Sequence, residues 1–322
     1  MANEIEINNC PLCASVLFKD LFQAREYTFF KKDKYHLVQC ANCHLVFLNP
    51  QPADTDLEAF YPQEYFSQEE DKFRASLPRF MILDKTKEIS RFKDRGKLLD
   101  VGCGQGWFLQ KMQNLGWEVR GIDLSARACE LTSEKIGKEN VFKGDLFSVN
   151  LPQGYFDVIT LWHVIEHSRD PVHALKRTRT LLKEDGILFI CCPNFGSWLR
   201  IIFRDKWFQL SAPHHLTHFT ADTLKLALKF SGFKVKHQKK HFIDPITNMG
   251  SLKLSLLRLL GLGYITVLNS DITEKVNVIK RSLYWRIART TFNITTLIFS
   301  FILSLLGNED SILILAVKEN KK

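Results

Sequence analysis

The chain has 322 residues, 45% of them hydrophobic and 25% charged, and 44 Lys and Arg against 35 Asp and Glu give a formal net charge of +9. Such a composition excludes wholesale disorder, a collagen-like chain and a multi-span membrane protein, and the length allows one large domain or two to three small ones. The basic surplus is uneven: residues 1–182 carry 24 basic and 25 acidic side chains and residues 183–322 carry 20 and 10, so an anionic partner belongs to the C-terminal part.

Residues 1–50 hold two C-x2-C pairs, Cys10/Cys13 and Cys40/Cys43, with 26 residues between them and a Lys-rich tip at Lys31, Lys32 and Lys34. The acidic N-terminus has neither a basic n-region nor a long apolar stretch, so no signal peptide is expected and the compartment reads as cytoplasmic and reducing. In that setting the paired spacing predicts a zinc-ribbon-like module, a tetrahedral structural Zn2+ closed by four thiolates with no open catalytic position. A module with so little core would unfold without its metal. Ala14 and His44 stand where such knuckles usually carry Gly, which predicts distorted turns. Five basic and five acidic side chains in residues 1–50 make the module neutral. That disfavours nucleic acid as its ligand and favours docking on the following domain. Residues 51–95 read as a helical connector rich in aromatic and charged side chains.

From Gly96 short apolar runs alternate with amphipathic stretches. KLLDVG is a strand ending in a Gly-rich turn, residues 107–115 a helix, WEVRGID a strand, and residues 125–136 a helix that Ser125 can cap. NVFKGD, FDVITLW, a helix opened by Asp170-Pro171, and GILFICCP follow. Residues 220–231 read as another helix, FKVKHQ as a strand and SILILAVK as the last strand. This alternation means an α/β fold with a mainly parallel sheet.

The turn Asp100-Val101-Gly102-Cys103-Gly104-Gln105-Gly106 follows a strand and opens a helix, the context in which a Gly-rich match carries meaning. A dinucleotide site would want a third Gly at position 107, where Trp107 stands. An acid two residues before the first Gly suits a cationic ligand group and repels pyrophosphate. Here the sequence resembles the class I S-adenosylmethionine-dependent methyltransferases, over residues 96–243 plus 311–318. The resemblance implies a Rossmann-like seven-stranded sheet whose seventh strand, SILILAVK, is antiparallel. It further implies Asp123 on ribose hydroxyls, Asp145 beside the adenine amino group, and Asp100, Gly102, Cys103, Gly104, Gly106, Leu124, Leu146 and Trp162 around S-adenosyl-L-methionine.

WHVIEH brings His163, Glu166 and His167 together, and SAPHHLTHFT brings His215 and His218. On a helical turn His163 and His167 share a face at i, i+4. They read as acceptor-side catalytic groups, as a divalent metal site, or as residues that orient the loop. The run resembles the E-x-x-E-H of ubiquinone-biosynthesis O-methyltransferases and small-RNA 3′-end methyltransferases, which hold a metal with it and a later His; here His163 replaces the first Glu. His215 and His218 are candidate proton acceptors from a second wall. The P-N-P-P type of motif that marks exocyclic base amines is absent after the fourth strand.

Residues 244–310 form an apolar helical insertion before the last strand. Residues 290–308 lack charge but carry several Thr, Ser and Asn, and a single span would strand SILILAVK across the bilayer. The segment therefore reads either as a cap over the pocket or as a peripheral contact through 251–306 with the inner membrane face. The domain plan is then 1–50, 51–95, 96–243 with 311–322, and 244–310. The expected function is methyl transfer to a small-molecule or lipid-linked acceptor: a sugar, a glycan precursor or a quinone-like phenol. An RNA methyltransferase and a non-catalytic membrane-docked scaffold are the alternatives, with nucleic acid disfavoured by the neutral module.

Overall fold

In the computed structural model the described residues are 4–25, 34–53, 84–239 and 309–319, with Ser251, Leu252, Ser255, Leu256, Arg258, Leu259 and Thr295. Lys31 and Lys32, most of the connector and most of the 244–310 insertion lie outside them.

The N-terminal module is built from β1 (Glu4–Ile5), β2 (Phe18–Arg25), β3 (Lys34–Cys40), β4 (Val46–Leu48) and β5 (Gln51–Pro52). β2 and β3 form the hairpin between the Cys pairs, β4 adds to β3, and β5 folds back on β1. Ala14 (φ 58°) and His44 (φ 65°) occupy the left-handed region. Both turns are therefore intact, contrary to the expected distortion: the residues adopt the glycine conformation at a cost of about 1 kcal/mol each. A metal bound to such a thiolate set, worth roughly 10–16 kcal/mol, would offset that.

After α1 (Lys85–Ser90) comes the alternating part: β6 (Lys97–Val101), α2 (Trp107–Asn114), β7 (Glu118–Asp123), α3 (Ala126–Ile136), β8 (Val141–Lys143), β9 (Phe156–Trp162), α4 (Pro171–Leu181) and β10 (Leu182–Pro193). Then follow α5 (Trp198–Phe203), β11 (Thr217–His218), α6 (Ala221–Phe230), β12 (Phe233–Lys239) and β13 (Ser311–Lys318). Ser125 caps α3 through Ala128 N, and Thr220 and Thr223 form a reciprocal capping box on α6.

The seven-stranded sheet has the order β12-β13-β10-β9-β6-β7-β8. β8, β7, β6, β9 and β10 are parallel, and β13 lies antiparallel between β10 and β12. Along the central strands alternate residues enter two separate cores, as a two-sided sheet requires. Leu99, Ile159, Leu161, Leu188 and Ile190 face one core, and Leu98, Val158, Ile187 and Phe189 the other. The first core also contains Cys10, Leu12, Cys40, Leu45 and Phe47, so the module packs into the sheet domain. From β6 the chain winds one way through β7 and β8 and then the other way through β9 and β10. The β6/β9 boundary is thus the topological switch point, where ligands bind outside the carboxyl ends of the strands.

Candidate functional site

At that switch point sits the turn after β6. Gly102 (φ 68°), Gly104 (φ 54°) and Gly106 (φ 75°) all adopt the left-handed conformation, but a Cβ would meet different surroundings at each. At Gly106 it would lie 2.7 Å from Thr132 Oγ1 and 2.9 Å from Thr132 Cα, so this glycine lets α3 pack on the turn. At Gly102 it would strike Val164 Cγ2 at 2.6 Å. At Gly104 nothing lies within 4 Å, so this face of the turn is open. The amides of Gly102 and Cys103 donate to the Ile122 carbonyl, that of Gly106 to the Cys103 carbonyl, and that of Gly104 to Asp123 Oδ2 at 2.9 Å. The turn therefore offers a ligand its shape rather than these amides.

Asp123 ends β7 and bridges two elements, because its other oxygen accepts from Ser125 N at 2.9 Å. Burial raises its pKa, opposed by the amide hydrogen bonds from Ser125, Gly104 and Leu124. Each oxygen retains a lone pair for a further donor. Leu124 beside it is 50% exposed, an apolar surface for a flat ring. Asp145 is exposed, and its Oδ1 accepts from Phe147 N at 2.9 Å and Ser148 N at 2.7 Å. Burial raises its pKa somewhat, but the bonds from Ser148 and Phe147 outweigh this and hold it low.

Asp100 is 3% exposed and accepts from Thr160 Oγ1 at 2.6 Å. Burial pushes its pKa up to about 7 against the Thr160 hydrogen bond and the nearby Lys85 ammonium. The Lys85 ammonium lies 4.7 Å from the Trp162 ring centroid and 6.0 Å from that of Phe108. Lys85 carries no motif signal. Leu146 and Trp162 are themselves buried, and Cys103 packs its thiol 3.8 Å from Thr132 Oγ1. These three shape the site from beneath.

The segment after β9 departs from expectation. It is a 3-10 turn over Ile165–His167, and His163 stands outside it in the left-handed region (φ 57°). Helical i, i+4 reasoning therefore fails here. The ligand-capable atoms that come within 4.8 Å of one another belong to Glu166, His167 and His215, so His215 takes the place that spacing gave to His163. His163 instead contacts Glu166, its Nδ1 3.3 Å from Oε1, and approaches Cys191 Sγ at 3.8 Å. Burial disfavours its charge, but Cys191 and Glu166 outweigh that and raise its pKa well above the usual value.

Glu166 is 1% exposed; its Oε1 faces the His163 ring at 3.3 Å, and neither carboxylate oxygen accepts a well-directed hydrogen bond. Such a buried group is costly unless something completes it. His167 Nδ1 lies 2.8 Å from the His214 carbonyl and His215 Nδ1 2.8 Å from the Gln209 carbonyl. Both rings thereby carry the proton on Nδ1 and the ligand lone pair on Nε2, the way metal-ligating histidines are oriented. The donor set fits a divalent cation. Burial and the neighbouring His167 and His218 hold His215 well below the usual histidine range, and burial with Arg200 brings His218 down to about 3. Both are thereby held in the neutral form.

Asp310, just before β13, was also silent in the sequence. It is 2% exposed, and its Oδ1 accepts from Ser197 Oγ at 2.7 Å and Trp207 Nε1 at 2.8 Å. Ser251 and Ser255 are buried nearby, Ser255 Oγ accepting from Phe208 N at 2.9 Å. Arg258 donates to the carbonyls of Trp207 and Phe208, and Leu252 and Leu256 pack on the apolar cluster around Trp207, so these residues of the insertion lie against the 207–210 segment. No helix among the described residues is long and apolar enough to cross a membrane.

In the module, Cys10 Sγ lies 3.5 Å from Cys43 Sγ, and Cys13 Sγ 3.5 Å from Cys40 Sγ, with no disulfide. All four sulfurs fall within 4.8 Å of one another. Zn–S bonds of about 2.3 Å in a tetrahedron place sulfurs about 3.8 Å apart, so the four thiols fit zinc.

A family described as a methyltransferase domain matches residues 72–238. The ubiquinone biosynthesis O-methyltransferase of Cereibacter sphaeroides is 30% identical over 181 residues, covering 53% of this chain and 72% of that protein. That of Pelagibacter ubique is 38% identical over 103 residues, covering 30% of this chain and 42% of the relative. In Actinobacillus pleuropneumoniae the same enzyme is 33% identical over 108 residues, covering 30% and 46%. The chain thus spans less than half the length of several of these relatives. Among solved structures, an S-adenosylmethionine-dependent methyltransferase from Archaeoglobus fulgidus is similar at 22% identity and a TM-score of 0.45, covering 81% of this chain and 99% of that one.

Proposed function

The chain belongs to the methyltransferase domain family, and from that premise we propose that it transfers a methyl group from S-adenosylmethionine to a hydroxyl of a small-molecule acceptor. The acceptor classes that suit the site are a saccharide, a lipid-linked glycan precursor and a quinone-like phenol. The observation that carries the reading is the open face over Gly104, flanked by Asp123 and half-exposed Leu124 and set beside the strand end that bears Glu166.

When bound, the cofactor supplies a methyl group already activated on sulfonium, so the chain's task is positioning. Asp123 has lone pairs for two vicinal ribose hydroxyls. Asp145 suits the adenine amino group, and Leu124 the face of the base. Lys85 and Asp100 offer opposite charges to the carboxylate and amine of the methionine part. Glu166, His167 and His215 would hold a divalent metal, which would polarise the acceptor oxygen as a Lewis acid. His163 orients Glu166 and, with its side chain 29% exposed, lines the acceptor's entry. The four cysteines would hold a structural Zn2+. In domain terms, β3 and β4 of the module, with Leu252 and Leu256 packed on the same apolar cluster, would wall the acceptor side, and the basic surplus from residue 183 onward would draw an anionic or phosphate-bearing acceptor to it.

Incubating the protein with methyl-labelled S-adenosylmethionine and a panel of catechols, sugar nucleotides, lipid-linked saccharides and RNA tests the reading. Label on one class identifies the acceptor. Label on RNA alone would replace the small-molecule reading.

A further inference from the structure

Among the described residues no strand of the seven-stranded sheet pairs with the cysteine module; β11, in the segment between α5 and α6, does. β11 is two residues long, lies at the edge of the module's sheet, and pairs only with β4, Thr217 opposite Phe47 and His218 opposite Val46. A two-residue edge strand cannot hold its own position. β4 begins three residues after Cys43, and the Cys40 amide donates to the Leu45 carbonyl at 2.9 Å, tying the second Cys pair to the start of β4. On the far side, Leu48 N donates to the Leu216 carbonyl at 2.9 Å and Leu216 N to the Glu166 carbonyl at 2.8 Å. Thr217 Oγ1 adds a longer bond, 3.4 Å, to the same Glu166 carbonyl. The segment that β4 registers also supplies His215 itself and the His214 carbonyl that orients the His167 ring.

We infer that the four cysteines are positioning residues of the reaction site: metal held by Cys40 and Cys43 fixes β4, β4 registers β11, and that segment sets Glu166, His167 and His215 against one another. The inference rests on the proposal that the module holds zinc. It gives the module a part in acceptor chemistry beyond covering the core, and it places no demand on the cofactor side. The coupling is a chain of main-chain hydrogen bonds, so it acts on histidine orientation rather than on charge.

The test uses full-length protein labelled with 15N-histidine, with zinc content measured by atomic emission and cofactor affinity by calorimetry. In the wild type, slowly exchanging Nδ1–H resonances are expected for His167 and His215. Cys43→Ser should lose zinc and both resonances while keeping its affinity for S-adenosylhomocysteine. Cys43→His, which retains a zinc ligand, should restore the metal and both signals. Leu48→Pro removes the donor to Leu216 without touching a thiol; it should keep zinc and the cofactor and still lose the resonances. Zinc loss with both resonances unchanged would overturn the coupling. Loss of cofactor binding together with the resonances in both Cys43→Ser and Leu48→Pro would also overturn it, because the damage would then be global. A wild type that binds no zinc would overturn the metal assignment instead.

Discussion

The three glycines of the turn after β6 have different jobs, and alanine substitutions should separate them. At Gly104 an alanine must hold φ 54° but touches nothing, because no atom lies within 4 Å of its Cβ. The stability loss should be the left-handed penalty alone, about 1 kcal/mol. Its methyl group would enter the space proposed for the cofactor, so affinity should fall roughly ten- to a hundredfold. At Gly106 the same change adds a Cβ 2.9 Å from Thr132 Cα and 2.7 Å from Thr132 Oγ1, whose hydroxyl donates to the Gly104 carbonyl at 2.8 Å. Backbone cannot yield as a flexible side chain does, so overpacking of about 1–3 kcal/mol joins the same conformational penalty. Urea denaturation of both variants reads the stability difference, and calorimetry with S-adenosylhomocysteine reads the affinity. If Gly104→Ala bound the cofactor as tightly as wild type, or destabilised as much as Gly106→Ala, the division of labour would be refuted.

Other outcomes follow from single groups. Asp100 titrates at about 7 in the folded chain against 3.8 when unperturbed. Its contribution is thus fully present below pH 4 and lost as the pH rises through 7. Asp100→Asn should raise stability at pH 8 by about 1–3 kcal/mol and make little difference at pH 4, read by denaturation at both pH values; equal effects would contradict the assignment. Manganese or zinc added to wild type at a hundredfold excess over Kd should stabilise it by about 2.7 kcal/mol, in addition to any effect at the cysteine module. Glu166→Gln should abolish only the increment from the acceptor side, and a thermal shift that survives the change would exclude Glu166 as a ligand. Asp145→Ala removes the acceptor for two turn amides and should cost about 1 kcal/mol of stability. It should also weaken adenosine binding, whereas unchanged affinity would leave Asp145 as a turn cap alone.

The sheet was legible because its strands are continuous apolar runs whose alternate residues feed two cores, and the Gly-rich turn falls at the boundary where the winding reverses. Asp123 was legible for the same reason, since a strand end is a fixed place in such a fold. His215 was found as a candidate, but its grouping with Glu166 and His167 was not. The turn after β9 is 3-10 rather than α, and the segment around β11, which pairs with β4 of the cysteine module, bonds to the Glu166 carbonyl across a separation that no local pattern reports. Lys85 and Asp310 gave no signal because their roles arise from tertiary packing, against Trp162 in one case and Trp207 in the other. The turn conformation at Ala14 and His44 misled in the opposite direction, since residues with side chains hold the positions where glycine was expected.

The proposed S-adenosylmethionine site is the open face over Gly104, bordered by Asp123 and Leu124. Calorimetric titration of the cofactor into the full chain and into Asp123→Asn tests it most directly. One site is expected in the wild type and clearly weaker binding in the variant, whose side chain keeps one acceptor oxygen in place of two. Absence of binding heat in the wild type, or equal affinity in both proteins, would contradict it.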